Sequence, residues 1–250
     1  GARFGVRSVQ AEGLRGLRMD QFHASVTTPN GPSLDISVPE AFLYIDLVDL
    51  FYGEFSVDRI QVDGARIVVS RPEDGVWFAG GTGPQAGLGL AGMVPFRVMG
   101  EGCRLEIRNV VGASNLVIDE LGFDVSRLVD ASDVTARVSG RLGGIPGKEV
   151  QIRARYTSLE DFDLRAQCAN ITAEDVNVFL PASQQFVVQG TATPSLRVAG
   201  YPNRTLVVAL EADFADLALR DQPALFHPAT GSLSALANYE IDHHRLTLTA

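Results

Sequence analysis

Few residues in this chain have types that could do chemistry, and their spacing limits what that chemistry could be. Gly87-Leu-Gly-Leu-Ala-Gly92 fits the G-x-G-x-x-G pattern of dinucleotide sites. That pattern works when a strand precedes it and a helix follows, so that the helix N-terminus meets the pyrophosphate. Here a glycine-rich stretch precedes it and Pro95 follows shortly after, so a loop is the better reading. His243-His244 beside Asp242 offers metal-ligand types, but adjacent strand residues point to opposite faces and do not share an ion. A solvated turn fits better. His23 and His227 have no partner at ligand spacing, and there is no G-x-S-x-G elbow or recognisable Cys–His arrangement. Acidic residues are numerous enough for two to meet across strands, as in β-rich glycosidases, yet nothing singles out a pair. The expectation is a non-enzyme with no catalytic residue, no metal site and no cofactor.

Cys103 and Cys168 each sit in an alternating pattern. A disulfide is possible in an oxidising compartment, but it needs Cα atoms within about 7 Å. The favoured reading is two buried thiols acting as small hydrophobes. Asn170-Ile-Thr172 and Asn203-Arg-Thr205 are glycosylation sequons, which matter only in a eukaryotic secretory route and are discounted.

The elements that carry these residues read as strands. With 250 residues and 46% hydrophobic content, the chain can bury a large core as one extended domain or two packed ones. Lys148 is its only lysine, and Gly and Pro recur at short intervals. The net charge of −9 argues against nucleic acid, which needs clustered basic residues to replace phosphate counterions. It argues equally against docking on an anionic membrane, where each basic residue contributes about 1 kcal/mol. Arginines such as Arg97, Arg104, Arg137, Arg153 and Arg165 alternate with apolar residues and read as the wet face of strands. No stretch reaches the roughly 18 consecutive apolar residues that span a bilayer as a helix.

Phe4 to Val26 reads as two strands and a tight turn, and Leu34, Ile36 and Val38 as the next strand. Residues 79–92 read as a flexible Gly-rich loop, with a possible subdivision near 92–97. Beyond it, alternation is monotonous: Cys103 to Ile107, then Leu116 and Ile118, then Phe123 and Val125, and so on to a hairpin that turns at Asp242–Arg245. One interruption falls at 172–180, where Thr172 and Asp175 make a capping-box-like helix start and Pro181 the stop. Short strands at regular intervals predict an all-β, mostly antiparallel fold with one dry and one wet face.

The most informative stretch runs from Ala41 to Trp77. Asp46 to Tyr52 has helical spacing and ends at Gly53. Alternation then runs through Ile60 and Val62, slips at Asp63-Gly64 as at a β-bulge, and resumes at Ile67 and Val69. A helical turn ending in Gly, then I-x-V-x-G-A-x-I-x-V-x-R-x-x-D-G-x-W, resembles the N-terminal periplasmic part of AsmA-like proteins. The residues that carry the resemblance are Ile60, Val62, Gly64, Ala65, Ile67, Val69, Arg71, Asp74, Gly75 and Trp77. It is close over this stretch and loose elsewhere.

The resemblance implies a curved sheet forming a trough with an apolar lumen, one elongated segment over 1–250 of a longer periplasmic protein. It also implies an inner-membrane anchor outside this sequence and a part in phospholipid transport to the outer membrane. The expected partners are phospholipid acyl chains, the inner membrane through that anchor, and outer-membrane proteins. The expected fold is a trough or open barrel-like sheet with short helices near 46–52 and 172–180. Candidate groove-lining residues are Ile67, Val69, Leu105, Ile107, Val134 and Val138, with Ile152, Phe186, Val188, Val208 and Leu210. Trp77 and the aromatics Phe42, Tyr44, Phe51, Tyr52 and Phe55 could line a lipid portal, though packing the first helix onto the sheet end fits each better. Two other readings stay open: a scaffold acting through strand addition, or a β-rich carbohydrate-binding or glycosidase domain marked by a carboxylate pair in a polar cleft.

Overall fold

The computed structural model describes residues 2–13, 16–27, 32–45, 51–52, 57–71, 97–109, 114–127, 133–158, 160–177, 188–201, 205–219, 229–240, 243 and 245–249. These residues form fifteen strands and one short helix. The fold is all-β and mostly antiparallel, as the alternation predicts. Two compact units divide the chain, Gly1–Val129 and Asp130–Ala250.

In the first unit, β1 (Ala2–Gly5) and β2 (Ser8–Glu12) together edge β3 (Gly16–Thr27), which pairs with β4 (Ser33–Ile45). On the far side of β4 lie β5 (Val57–Asp63) and β6 (Arg66–Arg71). Both run parallel to β7 (Arg97–Asn109), which pairs antiparallel with β8 (Ser114–Arg127). A parallel pair needs a crossover. That connection, with the expected loop at 79–92 and the Gly87–Gly92 motif, lies outside the described residues. The division between these units falls at 129/130, while residues 92–96 of the possible subdivision near 92–97 lie outside the described residues. Strand β7 begins at Arg97 yet hydrogen-bonds to β5 and β6, and so belongs to the first unit.

The strands of this unit change phase. In β3 the apolar side chains are Leu17 and Met19, then Phe22, Ala24 and Val26; in β4 they are Leu34, Ile36 and Val38, then Ala41 and Leu43. The change falls at Gly64 between β5 and β6, at Gly102 in β7 and at Glu120 in β8. A one-residue slip would normally turn every later side chain to the other face. A left-handed residue absorbs it, and here Gln21 (φ 52), Gly64 (φ 64), Gly102 (φ 60) and Glu120 (φ 52) take that conformation; a register shift, the mark of a bulge, accompanies it between β7 and β8. Gln21 falls opposite Pro39, between the pairs Asp20↔Glu40 and Phe22↔Val38. Bonds from Gly64 N to Glu101 O (2.9 Å) and from Arg104 N to Ala65 O (2.7 Å) carry the ladder past the irregularity. Val38, Ala41, Ala65, Cys103 and Leu121, the most buried apolar residues beside Ala24, flank this seam. At Gly64 the strand breaks between β5 and β6 with a left-handed glycine, but the register against β4 and β7 is the same on both sides, so the expected bulge, an extra residue, is not there. Leu116–Ile118 and Phe123–Val125, which read as separate strands, are two halves of β8.

The second unit is an antiparallel meander: β9 (Val134–Leu142), β10 (Glu149–Ser158), β11 (Asp161–Cys168), β12 (Val188–Tyr201), β13 (Thr205–Leu219), β14 (Ala229–Glu240) and β15 (Arg245–Thr249). Helix α1 (Ala173–Asn177) sits between β11 and β12. As the capping pattern predicts, Thr172 donates its backbone N–H and its hydroxyl to Asp175 Oδ2, at 2.8 and 3.0 Å. Lys148 Nζ reaches the same oxygen at 2.7 Å, tying the helix to the β9–β10 turn. Of the other expected helix, residues 46–50 lie outside the described set; Phe51 is helical, Tyr52 is in a turn, and both are exposed. Among the described residues, no ladder joins the two ends of either unit's sheet, so each sheet is open.

Gly190 (φ 109) faces the β13 bulge at Asp216 (φ 56), and a Cβ there would lie 2.7 Å from the carbonyl oxygens of Ala215 and Asp216. Gly190→Ala is therefore expected to lower stability by about 2 kcal/mol or more. Gly231→Ala, whose Cβ meets nothing within 4 Å, serves as control and is expected to shift it by less than about 1 kcal/mol. Urea midpoints of the two variants check this.

Candidate functional site

In an antiparallel ladder, directly paired residues share a face. In the first unit this places Ile36, Ile67, Leu105 and Ile118 in one row across β4, β6, β7 and β8. Leu34, Val69, Ile107 and Leu116 form the next row. In the second unit one row runs Val138, Ile152, Ala166, Leu196, Leu210 and Ala235. The next runs Ala136, Ala154, Leu164, Val198, Val208 and Ala237, and a third runs Val134, Tyr156, Phe162, Gly200, Leu206 and Tyr239. Each unit thus has one continuous apolar face.

The structure brings Ile67, Val69, Leu105 and Ile107 together in the first unit. Val134, Val138, Ile152, Val208 and Leu210 lie on the apolar face of the second. Val188 pairs with Leu219 beyond the Gly190 bulge, and Phe186 lies outside the described residues. Every candidate other than Phe186 is half-buried. In a two-sheet sandwich the central rows are the core and are closed off. Among the described residues, the buried apolar side chains of the second unit are Leu142, Ala173, Ala199 and Ala212, none of them in those three rows. At the margins Tyr156, Leu233 and Leu248 are 46%, 48% and 72% exposed.

The opposite faces are polar, and the two units differ there. In the first unit, arginines meet carboxylates: Arg18 with Asp20 and Glu40, Arg97 with Asp124, and Arg104 with Asp119. Glu106, the one buried charged residue among those described, takes Arg108 on one oxygen and Arg66 on the other, both at 2.8 Å. In the second unit, Arg137 pairs with Arg153, Arg153 with Arg165, and Arg165 with Arg197. Four arginines, all exposed, therefore stand side by side across β9 to β12. Asp163 serves Arg165 at 3.0 Å and Arg197 at 2.6 Å, and these hydrogen bonds hold its carboxyl below the usual range. Arg137 and Arg153 make no ion pair among the described residues. Beside this row lies a groove of about 440 Å³ lined by Gln167, Thr193, Ser195, Glu211, Asp213, Ser232 and Ser234.

Both cysteines are free thiols, Cys103 buried and Cys168 half-buried, and burial pushes both up from their ordinary pKa. Of the aromatics proposed for a portal, Phe42 and Tyr44 do not lie on the apolar face. They alternate away from it, and their rings sit 6.0 and 4.1 Å from the guanidinium carbons of Arg18 and Arg59. Phe51 and Tyr52 are 91% and 83% exposed, so they do not pack a helix onto the sheet; Phe55 and Trp77 lie outside the described residues. His243 stands exposed in a turn, while Asp242 and His244 lie outside the described residues. The arginine row and its groove escaped sequence reading, because the paired residues are far apart in the chain and only the register aligns them. No family model and no curated protein matches this chain.

Hydrogen bonds from Arg108 and Arg66 hold the Glu106 carboxyl down at about 2, against an ordinary 4.5. A lowered folded pKa contributes stability that is complete above the ordinary value and is lost as pH falls through the folded one. Glu106→Gln is expected to lower stability by about 1–2 kcal/mol at neutral pH. The gap between variant and parent should close as pH falls from 4.5 toward 2. Denaturant unfolding at stepped pH measures it.

Proposed function

We propose that the apolar face of each unit is a binding surface for acyl chains, and that the chain is a periplasmic segment of an AsmA-like protein. In this reading it holds or conducts phospholipid tails between inner and outer membrane, tethered to the inner membrane by an anchor outside this sequence. The observation that carries the reading is the half-burial of the described groove candidates. Ile118 apart, which is buried, the side chains of the rows are too apolar to be a solvent face and too exposed to be a closed core. A contiguous apolar surface left open marks a place for a ligand or partner.

The mechanism is partition. Apolar surface removed from water is worth about 25 cal/mol per Å², and successive strands repeat the same apolar rows at a spacing of about 4.8 Å. An acyl chain that moves by one strand exchanges one set of aliphatic contacts for an equivalent set, so no single site holds it. Period-two alternation keeps arginines and carboxylates off this face, which leaves lipid head groups in water. No bond is made or broken, and no general acid, nucleophile or metal is needed.

The test is native mass spectrometry of the purified chain, with organic extraction to identify any lipid that co-purifies. Phospholipid bound to the parent and absent from a folded Val208→Asp variant is the expected result, since Val208 sits mid-row between Val198 and Ala237. An unfolded variant would place Val208 in a closed core and count against the groove.

A further inference from the structure

We propose that the polar face of the second unit binds a linear acidic polysaccharide, one carrying a carboxylate on successive sugar rings. The site is the row Arg137, Arg153, Arg165 and Arg197 with the adjoining groove. It lies on the opposite face from the acyl surface and does not depend on that reading.

Like charges directly opposite each other across strands are destabilising, and this sheet sets three such arginine pairs in series. Among the described residues a single carboxylate, Asp163, pairs with members of the row, Arg165 and Arg197; Glu211 and Asp213 lie in the adjoining groove and make no ion pair with it. The first unit shows that the chain can balance such a face, because its arginines there are matched by Asp20, Glu40, Glu106, Asp119 and Asp124. The second unit therefore carries a local cationic stripe on a chain whose net charge is −9. An external anion would supply the missing counter-charge.

The geometry narrows the class of anion. Neighbouring strands lie about 4.8 Å apart, so the row spans roughly 15 Å with one guanidinium per strand. In an extended polyuronate each pyranose ring advances the chain by a similar distance and carries one carboxylate. Guanidinium forks suit carboxylates because two N–H donors match two oxygens. The groove supplies what the rest of a sugar ring needs. Ser195 and Gln167 sit two residues from Arg197 and Arg165 on the same face, and Ser195 pairs with Glu211, which pairs with Ser234. Hydroxyl, amide and carboxylate groups there accept and donate to ring hydroxyls. A nucleic acid fits poorly, since neither the row nor the groove offers an aromatic ring for base stacking. A flat anionic membrane would meet the net negative charge of the whole chain.

The test is isothermal titration calorimetry of the full chain at low salt. The probes are polygalacturonate oligomers, the same oligomers fully methyl-esterified, inorganic polyphosphate, polyglutamate and anionic phospholipid vesicles. The expected result is binding of the polygalacturonate alone, weakened at least tenfold in Arg137→Gln/Arg153→Gln and abolished by esterification. Both arginines are exposed and make no ion pair among the described residues, and circular dichroism checks that the variant keeps its sheet. Gln167→Ala/Ser234→Ala, which leaves the arginines in place, is expected to weaken polygalacturonate by several-fold. The proposal is overturned if polygalacturonate fails to bind, or if either double variant binds it as the parent does. It is also overturned if polyphosphate, polyglutamate or the vesicles bind as tightly, which would reduce the stripe to unspecific charge.

Discussion

The constraint on which the structure depends is that apolar side chains stay on one side of each sheet while the strands bend. Side-chain direction alternates every residue, so a strand that gains one residue presents its whole apolar set to water. The first unit meets this by letting neighbouring strands slip together. Gln21 falls opposite Pro39, Gly64 and Ala65 lie beside Gly102 and Cys103, and Glu120 interrupts β8 between the partners of Leu105 and Cys103. The ladder on each side stays in register because the irregularities are aligned. Bulges bend strands and add twist, and the most buried small side chains, Ala41, Ala65 and Cys103, gather where that bend brings backbone close.

This arrangement explains which parts of the fold the sequence reveals. Gly64 announces the break in its strand because a glycine inside an alternating run has a conformational reason to be there, though no residue is inserted against β4 or β7. Gln21 and Glu120 adopt the same left-handed conformation without a residue type that signals it, so β8 looks like two strands and β4 breaks at Pro39. The helix at Ala173 was legible because its cap is local: Thr172 and Asp175 are three residues apart and bond directly. The apolar candidates were legible as a face because period two needs no knowledge of partners. Arg137, Arg153, Arg165 and Arg197 were legible only as solvent-facing residues. Their alignment arises from three separate hairpin and loop registers, and an offset of two residues in any one would break the row.

The same comparison shows how charge follows from register. On the first unit's polar face, register sets opposite charges side by side, and Glu106 is buried because two guanidiniums enclose it. Removing a carboxylate from water without partners is costly, and the pull of Arg108 and Arg66 outweighs that burial, as the low carboxyl pKa records. On the second unit's polar face, register sets like charges side by side, and exposure to water keeps the repulsion small. The two faces use the same residue type differently: in the first unit arginines are cement to carboxylates, while in the second the row of four has one carboxylate partner among the described residues, Asp163, beside the separate pair Arg155–Asp161.

Among the described residues, most side chains of the apolar rows are half-buried rather than closed off. Apolar surface in contact with water contributes nothing to stability, so the folded state must draw on the ladders, the polar-face ion pairs and the tight contacts beside the bulges. An occupant of the apolar rows would add apolar contacts, and a ligand that binds only the folded chain stabilises it by mass action. The arginine row stands in the same relation to an anion, since a bound counter-charge removes a repulsion that the sheet otherwise carries. Because alternation separates the two faces, an occupant of one touches no side chain of the other, and coupling between them could pass only through the backbone ladder. In the second unit that ladder carries its described irregularities near Tyr156–Ser158, at Gln189–Thr191 and at Phe214–Leu217. All three lie outside the paired stretches that hold Arg137, Arg153, Arg165 and Arg197, so the register that builds the row is fixed before any ligand arrives.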